Sequence, residues 1–360
     1  MKKHLNIAIF IPHRGCKNDC VFCNQKIITG TENRVTVDDV KNIIEKYIGT
    51  LVGAELVSAR NKGQTQGLPL RKPALTNIEI AFFGGSFTGL DICEMTSFLK
   101  VANEYIDGGN ISGIRISTRP DYITDEILDI LERYNVKAIE LGVQSMFDDV
   151  LLVSKRGHTV EDTIKACEMI NERKIALTGQ MMLGLPESDR EKDIDTACKL
   201  VKLKIESARI YPTIVFNDTK LYEMYQAGKY KVIDIDEAVY RAKEIKKIFD
   251  KNKIKILRMG LCASDNMGDE SLFTGPYHPA FGELVESEII FDDLCEKIEE
   301  LIKNENNINI EITAKKNIIS KVAGHKRRNI IRLKEKFKID NIKVAEKESL
   351  WDYSINLNRD

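Results

Sequence analysis

The sequence predicts an α/β fold, a parallel β-sheet with helices packed outside it. Two observations predict it. Short apolar runs alternate with helical patterns six times in succession, the signature of parallel strands joined by helical crossovers. The runs are also followed, one after another, by turns bearing Cys, Gly, Ser, Arg or Gln, and open parallel sheets bind ligands at the carboxyl ends of their strands.

The first strand is LNIAIFI (5–11). TVDDVKNIIEKYIG (36–49) follows as an amphipathic helix, with Thr36 and Asp39 spaced as a capping pair and Val37, Val40, Ile43, Ile44, Tyr47 and Ile48 on one face. The second strand, IEIAFFG (78–84), leads into a helix over roughly 91–107. ISGIRIST (111–118) is the third strand and TDEILDILERY (124–134) its helix. AIELGVQS (138–145) is the fourth strand, followed by a helix over 160–173 capped by Thr159. IALTGQMMLGLP (175–186) carries the fifth, with a helix near 189–204, and ARIYPTIV (208–215) is the sixth.

Residues 53–74 show no period and are rich in Gly, Gln and cations, which predicts a surface insertion. Beyond residue 230 the rhythm changes. Helices near 235–251 and 292–303, a strand near 254–259 and a Lys-rich terminal helix predict a smaller α+β extension over 231–360, after a main unit over 1–230.

Composition removes several classes. The net charge is −1, with 43% hydrophobic and 30% charged residues, so any attraction for nucleic acid must be local. The amino-terminal segment MKKHLNIAIFIPHRGC lacks the small-residue cleavage site of a secretory signal, and no apolar stretch is long enough to span a bilayer. A cytoplasmic protein without membrane association is expected.

Three of the eight cysteines, Cys16, Cys20 and Cys23, fall in GCKNDCVFC directly after the first strand. Such clustering in a large chain reads as metal binding rather than a disulfide framework. Cys93, Cys167, Cys198, Cys262 and Cys295 are scattered and read as small hydrophobes. Three thiolates on one short loop suit a cubane iron–sulfur cluster with one iron open to a ligand. The same loop also suits zinc, with His13 available as a fourth ligand.

Later strand ends carry further candidates. Gly84, Gly85 and Ser86 in FFGGSFTG permit close backbone approach to a ligand. ISTRPD places Ser117, Thr118 and Arg119 at the third strand end. Gln144 in GVQS suits a ribose or an amide, and Arg156 in KRGHT suits a carboxylate. His158 reads as structural, and Gly184 and Pro186 shape the turn after the fifth strand.

Taken together, the three-Cys loop, GGSFT, STRPD, GVQS, RGHT and GLP resemble the radical SAM superfamily. RIYPTIVFNDTKLYEMYQAGKY (209–230) and, in part, GPYHPAFGELVES (275–287) resemble the catalytic subunit of Elongator and its short bacterial relatives. The resemblance implies a partial (β/α)6 barrel. It implies a [4Fe–4S] cluster on Cys16, Cys20 and Cys23, with S-adenosyl-L-methionine (SAM) chelating the fourth iron. Gly84, Gly85 and Ser86 would then lie along the methionine moiety, Ser117, Gln144 and Arg156 around the rest of SAM, and Phe22 near the cluster or adenine. One-electron reduction would cleave SAM to methionine and a 5′-deoxyadenosyl radical, with the electron supplied by a flavodoxin- or ferredoxin-like donor. The catalytic residues toward substrate and the oligomeric state are not indicated.

Elongator's subunit also carries an acetyltransferase domain. RMGLCA (258–263) and VAGHKRR (322–328) are poor matches to its Gly-rich turn, so acetyl transfer by this chain is not expected. The segment 315–343 holds Lys315, Lys316, Lys326, Arg327, Arg328, Arg332 and Lys334. It reads either as a phosphate-attracting patch, hence tRNA, or as an amphipathic helix with Ile318, Ile319, Val322, Ile330, Ile331 and Leu333 turned inward. The leading expectation is a radical SAM enzyme acting on tRNA. The alternatives are a radical SAM enzyme on a small molecule and a non-enzymatic RNA-binding protein with a structural metal. Close kinship to coproporphyrinogen oxidase, whose cysteine loop continues to a further Cys, is opposed by Gln25.

Overall fold

A computed structural model of the chain describes residues 5–11, 15–17, 19–24, 34–61, 78–109, 111–261, 272–302, 309–347 and 352–358. The main sheet has seven parallel strands in the order β1 (Leu5–Ile11), β2 (Ile78–Gly84), β3 (Gly113–Thr118), β4 (Val136–Gln144), β5 (Ala176–Leu183), β6 (Ser207–Pro212) and β8 (Lys255–Met259). The helices α1 (Val37–Asn61), α2 (Ile92–Asp107), α3 (Asp125–Arg133), α4 (Asp148–Val153), α5 (Val160–Glu172), α6 (Arg190–Lys202), α7 (Lys220–Gln226) and α8 (Ile235–Lys251) fall between those strands in sequence. The architecture is therefore the parallel α/β sheet that the repeats imply, in the half-barrel form that the resemblance implies. It has one strand more than expected: the strand near 254–259 does not join the smaller unit but pairs with β6 and closes this sheet.

Local chemistry sets the boundaries. Thr36 and Asp39 form the expected cap of α1: the Thr36 hydroxyl accepts from the Asp39 N–H at 3.2 Å, and the Asp39 carboxylate accepts from the Thr36 N–H at 2.9 Å. Thr159 and Asp162 repeat the device at α5. The sequence reading ended α1 near residue 49, yet it continues to Asn61. The run LVGAELVSARN is rich in helix formers, and its one Gly lowers helix propensity by only about 1 kcal/mol. Residues 62–74 of the expected insertion lie outside the described residues, as do His13, Gln25 and Cys262.

Strand periodicity gives the sheet two unlike faces. Ile7, Ile9, Ile11, Ile80, Phe82, Ile114, Ile116, Ile139, Leu141, Leu177 and Ile210 form the main core, each no more than 2% exposed. The alternate positions on the inner face carry Glu79, Arg115, Glu140, Gln180, Arg209 and Tyr211. Their side chains satisfy one another. Glu140 accepts from Arg209 Nη2 at 2.9 Å and Gln180 Nε2 at 3.0 Å, and Arg115 Nε donates to Glu79 at 2.9 Å.

The smaller unit follows. The helix α9 (Phe281–Leu301) is longer than the segment 292–303 the sequence suggested. It begins in the main core with Phe281 and Val285 and ends in a second one with Leu294 and Ile298. That second core is closed by three strands the sequence reading did not find, β10 (Asn309–Ala314), β11 (Asn341–Glu346) and β12 (Tyr353–Asn358), in the order β11-β10-β12. The Lys-rich segment forms two helices, α10 (Ile319–Ala323) and α11 (Arg328–Phe337). Val322, Ile330 and Leu333 are buried as expected, but Ile331 is 52% exposed. The corner between the helices turns the register, so the segment does not present one continuous face. A two-stranded ribbon, β7 (Val215–Phe216) with β9 (Leu272–Thr274), lies beyond β6. Among the scattered cysteines Cys167 and Cys295 are buried as expected, Cys198 is half-buried, and Cys93 is exposed on α2.

Candidate functional site

The carboxyl ends of the first five strands of the sheet meet in one rim. The cysteine loop lies across it, held by backbone. The Val21 N–H donates to the Ser154 carbonyl at 3.1 Å, and the Val21 carbonyl accepts from the Leu221 N–H at 2.8 Å. Lys220 pairs with Asp19 at 2.5 Å. Residues distant in sequence therefore shape the loop from both sides.

Glycines let the loop descend onto its neighbour. Gly15 has φ +74°, and a Cβ there would fall 2.0 Å from the Ser86 carbonyl oxygen. A Cβ on Gly89 would fall 2.1 Å from the Gly15 carbonyl oxygen and 2.7 Å from the Tyr122 ring. These contacts are not visible in sequence, because they join turns that follow different strands. The Gly85 N–H donates to the Ile11 carbonyl at 2.8 Å, which locks the GGS turn to the start of the cysteine loop.

The cysteines themselves differ. Cys16 is exposed, with its sulfur 3.3 Å from the Ser86 hydroxyl. Cys20 is buried, and Arg156 Nη1 donates to its sulfur at 3.2 Å. Cys23 is half-buried. Among the described residues no three His, Cys, Asp or Glu side chains converge closely enough to hold a single metal ion as they stand. Phe22 packs against a small cluster formed by Val21, Val215, Leu221 and Tyr230.

The other candidates come together around Cys20. Register slips between Gly142 and Gln144 on β4, leaving Gln144 at φ +67°. Such bulges re-aim a side chain, and a non-Gly residue in this region costs about 1 kcal/mol. The Gln144 side-chain oxygen is buried and has no partner among the described residues. Arg156 is 6% exposed; its Nη2 donates to the Gly142 carbonyl at 2.7 Å, while its Nε has no partner among the described residues. Ser117 is half-buried on β3, level with Glu140 and below the rim.

Arg119, in the STRPD turn after β3, is 3% exposed and forks onto Asp121 at 2.9 and 3.1 Å. His158, beside these arginines, is 4% exposed. Burial, reinforced by Arg156 and Arg119, pushes its imidazole down to about 3 from an ordinary 6.5, so it is neutral near pH 7. The fifth strand end is fixed separately. Buried Asp193 accepts from the Gly184 N–H at 3.0 Å and from Arg241 at 2.8 Å, and the Tyr230 hydroxyl donates to the Gly184 carbonyl at 2.7 Å.

Comparison with known proteins bears on the family and the fold. The family model for the radical SAM superfamily matches residues 75–197, and that for the radical SAM C-terminal domain matches residues 205–290. The chain belongs to the radical SAM superfamily. It is 31% identical over 182 residues to a tRNA uridine(34) acetyltransferase of Methanocaldococcus jannaschii, covering 45% of this chain and 34% of that protein. It is 28% identical over 190 residues to Elongator complex protein 3 of Saccharomyces cerevisiae, covering 47% and 34%. The chain thus aligns with about a third of these relatives' length. The fold matches the archaeal Elp3 of Methanocaldococcus infernus with TM-score 0.60 at 21% identity, over 82% of this chain and 64% of that one. That likeness supports the half-barrel assignment of this radical SAM chain. Among the described residues no helix is long and apolar enough to cross a membrane.

Proposed function

We propose that this chain is a radical SAM enzyme that holds a [4Fe–4S] cluster on Cys16, Cys20 and Cys23 and acts on tRNA. The observation that carries the reading is the cysteine loop lying across the strand-end rim, with the Cys16 sulfur beside Ser86, Cys20 beside Arg156, and buried polar atoms nearby that have no partner among the described residues. The residues fit the pair of cofactors. Three soft thiol donors on one loop suit iron. Gly84 lets its turn press against β1, where a Cβ would fall 2.9 Å from the Ile11 carbonyl oxygen, and the same turn brings the Ser86 hydroxyl to Cys16; in this reading Gly84, Gly85 and Ser86 line the methionine moiety. The Gln144 side-chain oxygen, buried and without a partner among the described residues, suits a donor on SAM, and Arg156 carries a buried cation suited to an anion; Ser117, deeper in the sheet, has the least support.

Bound there, the cofactors supply one-electron cleavage of a C–S bond, giving methionine and a 5′-deoxyadenosyl radical. The protein's part is orientation and exclusion of water. The main core closes the outer side of the sheet, and the Val21 backbone bonds fix the loop that presents the thiols. A flavodoxin- or ferredoxin-like donor is required for the electron.

The tRNA part rests on the relatives' named activities and on a residual charge. Within 315–334, Lys315, Arg328 and Arg332 are ion-paired with Asp352, Asp236 and Glu288, and Lys334 donates to the Asp340 carbonyl. Lys326 and Arg327 are exposed without an ion pair among the described residues. They sit on the same side as the rim, because Arg328 pairs at the first turn of α8, the end next to the strand termini.

Anaerobic reconstitution with iron and sulfide, then reduction with SAM, is expected to release 5′-deoxyadenosine, and Cys20→Ala abolishes it. No product from the wild-type chain rejects the enzyme reading. For RNA, bulk tRNA binding is expected to lose salt dependence in a Lys326→Glu, Arg327→Glu chain by a log–log slope of about 1.5, the value for two phosphate contacts. An unchanged slope rejects this surface.

A further inference from the structure

Arg156 is an unusual cation for its position. It is 6% exposed and has no carboxylate within ion-pair distance among the described residues. Uncompensated burial of a charge is expensive, so a buried guanidinium normally sits against an anion. The partners it does have are the Gly142 carbonyl, 2.7 Å from Nη2, and the Cys20 sulfur, 3.2 Å from Nη1. Arg119 makes a useful contrast, since its fork is committed to Asp121.

The backbone explains why Arg156 reaches that sulfur. Helix α4 ends at Val153, and Lys155 at φ +52° and Gly157 at φ +73° turn the chain back on either side of Arg156. Ser154 grips the Val21 N–H while Arg156 grips the neighbouring Cys20 side chain. Two adjacent residues of the cysteine loop are thus held by two nearly adjacent residues after α4. The guanidinium is planar, and its Gly142 bond fixes the direction in which Nη1 points.

We propose that Arg156 is a positioning residue for Cys20, whose hydrogen bond to the sulfur orients that ligand and raises the reduction potential of the cluster it holds. The assignment rests on the radical SAM reading above. The physical reason is charge. Reduction adds an electron to an already anionic iron–thiolate centre, and a charged donor on a ligand sulfur stabilises the reduced form more than the oxidised one. The effect is strong in a site from which water is excluded.

The test is an EPR-monitored redox titration of the full-length, anaerobically reconstituted chain without SAM. Arg156→Gln is expected to lower the midpoint by about 59 mV, a tenfold fall in the reduced-to-oxidised ratio at fixed poise for a one-electron couple. Arg156→Lys, which keeps the charge but loses the fork held on Gly142, falls between the two. Arg119→Gln shifts the midpoint less than Arg156→Gln. The titration reads only loaded molecules, so a variant that takes up less iron still reports its midpoint. If Arg156→Gln loads none, an Arg156→Lys midpoint equal to wild type overturns the assignment. An Arg156→Gln midpoint equal to wild type overturns it too, including the case where only the affinity for SAM falls. A wild-type chain that takes up no cluster overturns the assignment and the proposed function together.

Discussion

Two sets of cations in this chain, one in the half-barrel and one on the outer unit, are organised differently. In the half-barrel, Arg115 and Arg209 on the strands and Arg119 and Arg156 on the turns at the rim are largely enclosed, and each is fixed by named short-range partners. On the outer unit, the cations of 315–336 lie at the surface, and several reach acidic residues of α8, α9 and β12's approach. The outer set has more charges, but solvent screens each pair. The inner set has fewer, but burial makes every partner consequential. Density of Lys and Arg in a sequence is therefore a poor guide to where charge does chemistry; what matters is how each charge is enclosed.

The largest test of this contrast is Glu140→Gln. Glu140 is 1% exposed and receives Arg209 and Gln180, with Arg115 Nη1 at 3.6 Å. Removing its charge leaves the largely enclosed Arg209 guanidinium without its carboxylate, while Arg115 keeps Glu79, so unfolding in urea is expected to become easier by about 3 kcal/mol. A loss below about 1 kcal/mol would place this network in the same class as the surface pairs.

Next comes Gly89→Ala, which probes packing at the same rim without changing charge. The added methyl meets the Gly15 carbonyl oxygen at 2.1 Å, so the cysteine loop must move, at a cost of about 1–3 kcal/mol. Faster alkylation of Cys20 in the variant would report that movement.

His158 offers a smaller, pH-dependent test. Its native imidazole is held down to about 3, against 6.5 when free. Between those values the unfolded chain binds a proton that the native one does not, so stability is full above pH 6.5 and falls as pH drops toward 3. The slope from this group reaches at most about 1.4 kcal/mol per pH unit. His158→Gln should flatten the measured slope in that window by up to one proton.

The smallest effect is expected at Arg328→Ala. This exposed pair with Asp236 should contribute less than about 1 kcal/mol, and less again at high salt. A large loss there would erase the distinction between the two regions.

Much of the barrel was legible because its strands are apolar runs of the right length, and its helices carry explicit caps at Thr36, Thr124 and Thr159. The candidate ligands were legible as strand-end motifs, and the structure brings Cys16, Cys20, Ser86, Gln144 and Arg156 into one rim. The inner network was missed although a signal existed. Glu79, Arg115, Glu140, Gln180 and Arg209 each occupy alternate positions within otherwise apolar strands, and reading the runs as uniformly apolar concealed the second face. The close approach of Gly15 to Gly89 and the partners of the basic segment were not legible, since both depend on contacts between elements far apart in the chain. The three late strands were hidden by short, mixed segments such as NIKVAE and YSINLN, whose apolar content is too low to stand out.

The backbone clamp on Val21 bears on how such a protein is made. One of its two bonds comes from Ser154 and the other from Leu221, while the cysteines lie near the amino end. On a ribosome, all three thiols emerge long before either partner exists to shape their loop. On the proposed function, cluster loading into the finished geometry is then a late event, after Leu221 has left the exit tunnel. Until that point the thiols depend on the reducing power of their surroundings, and translation slowed between those two segments would prolong their exposure to oxidants.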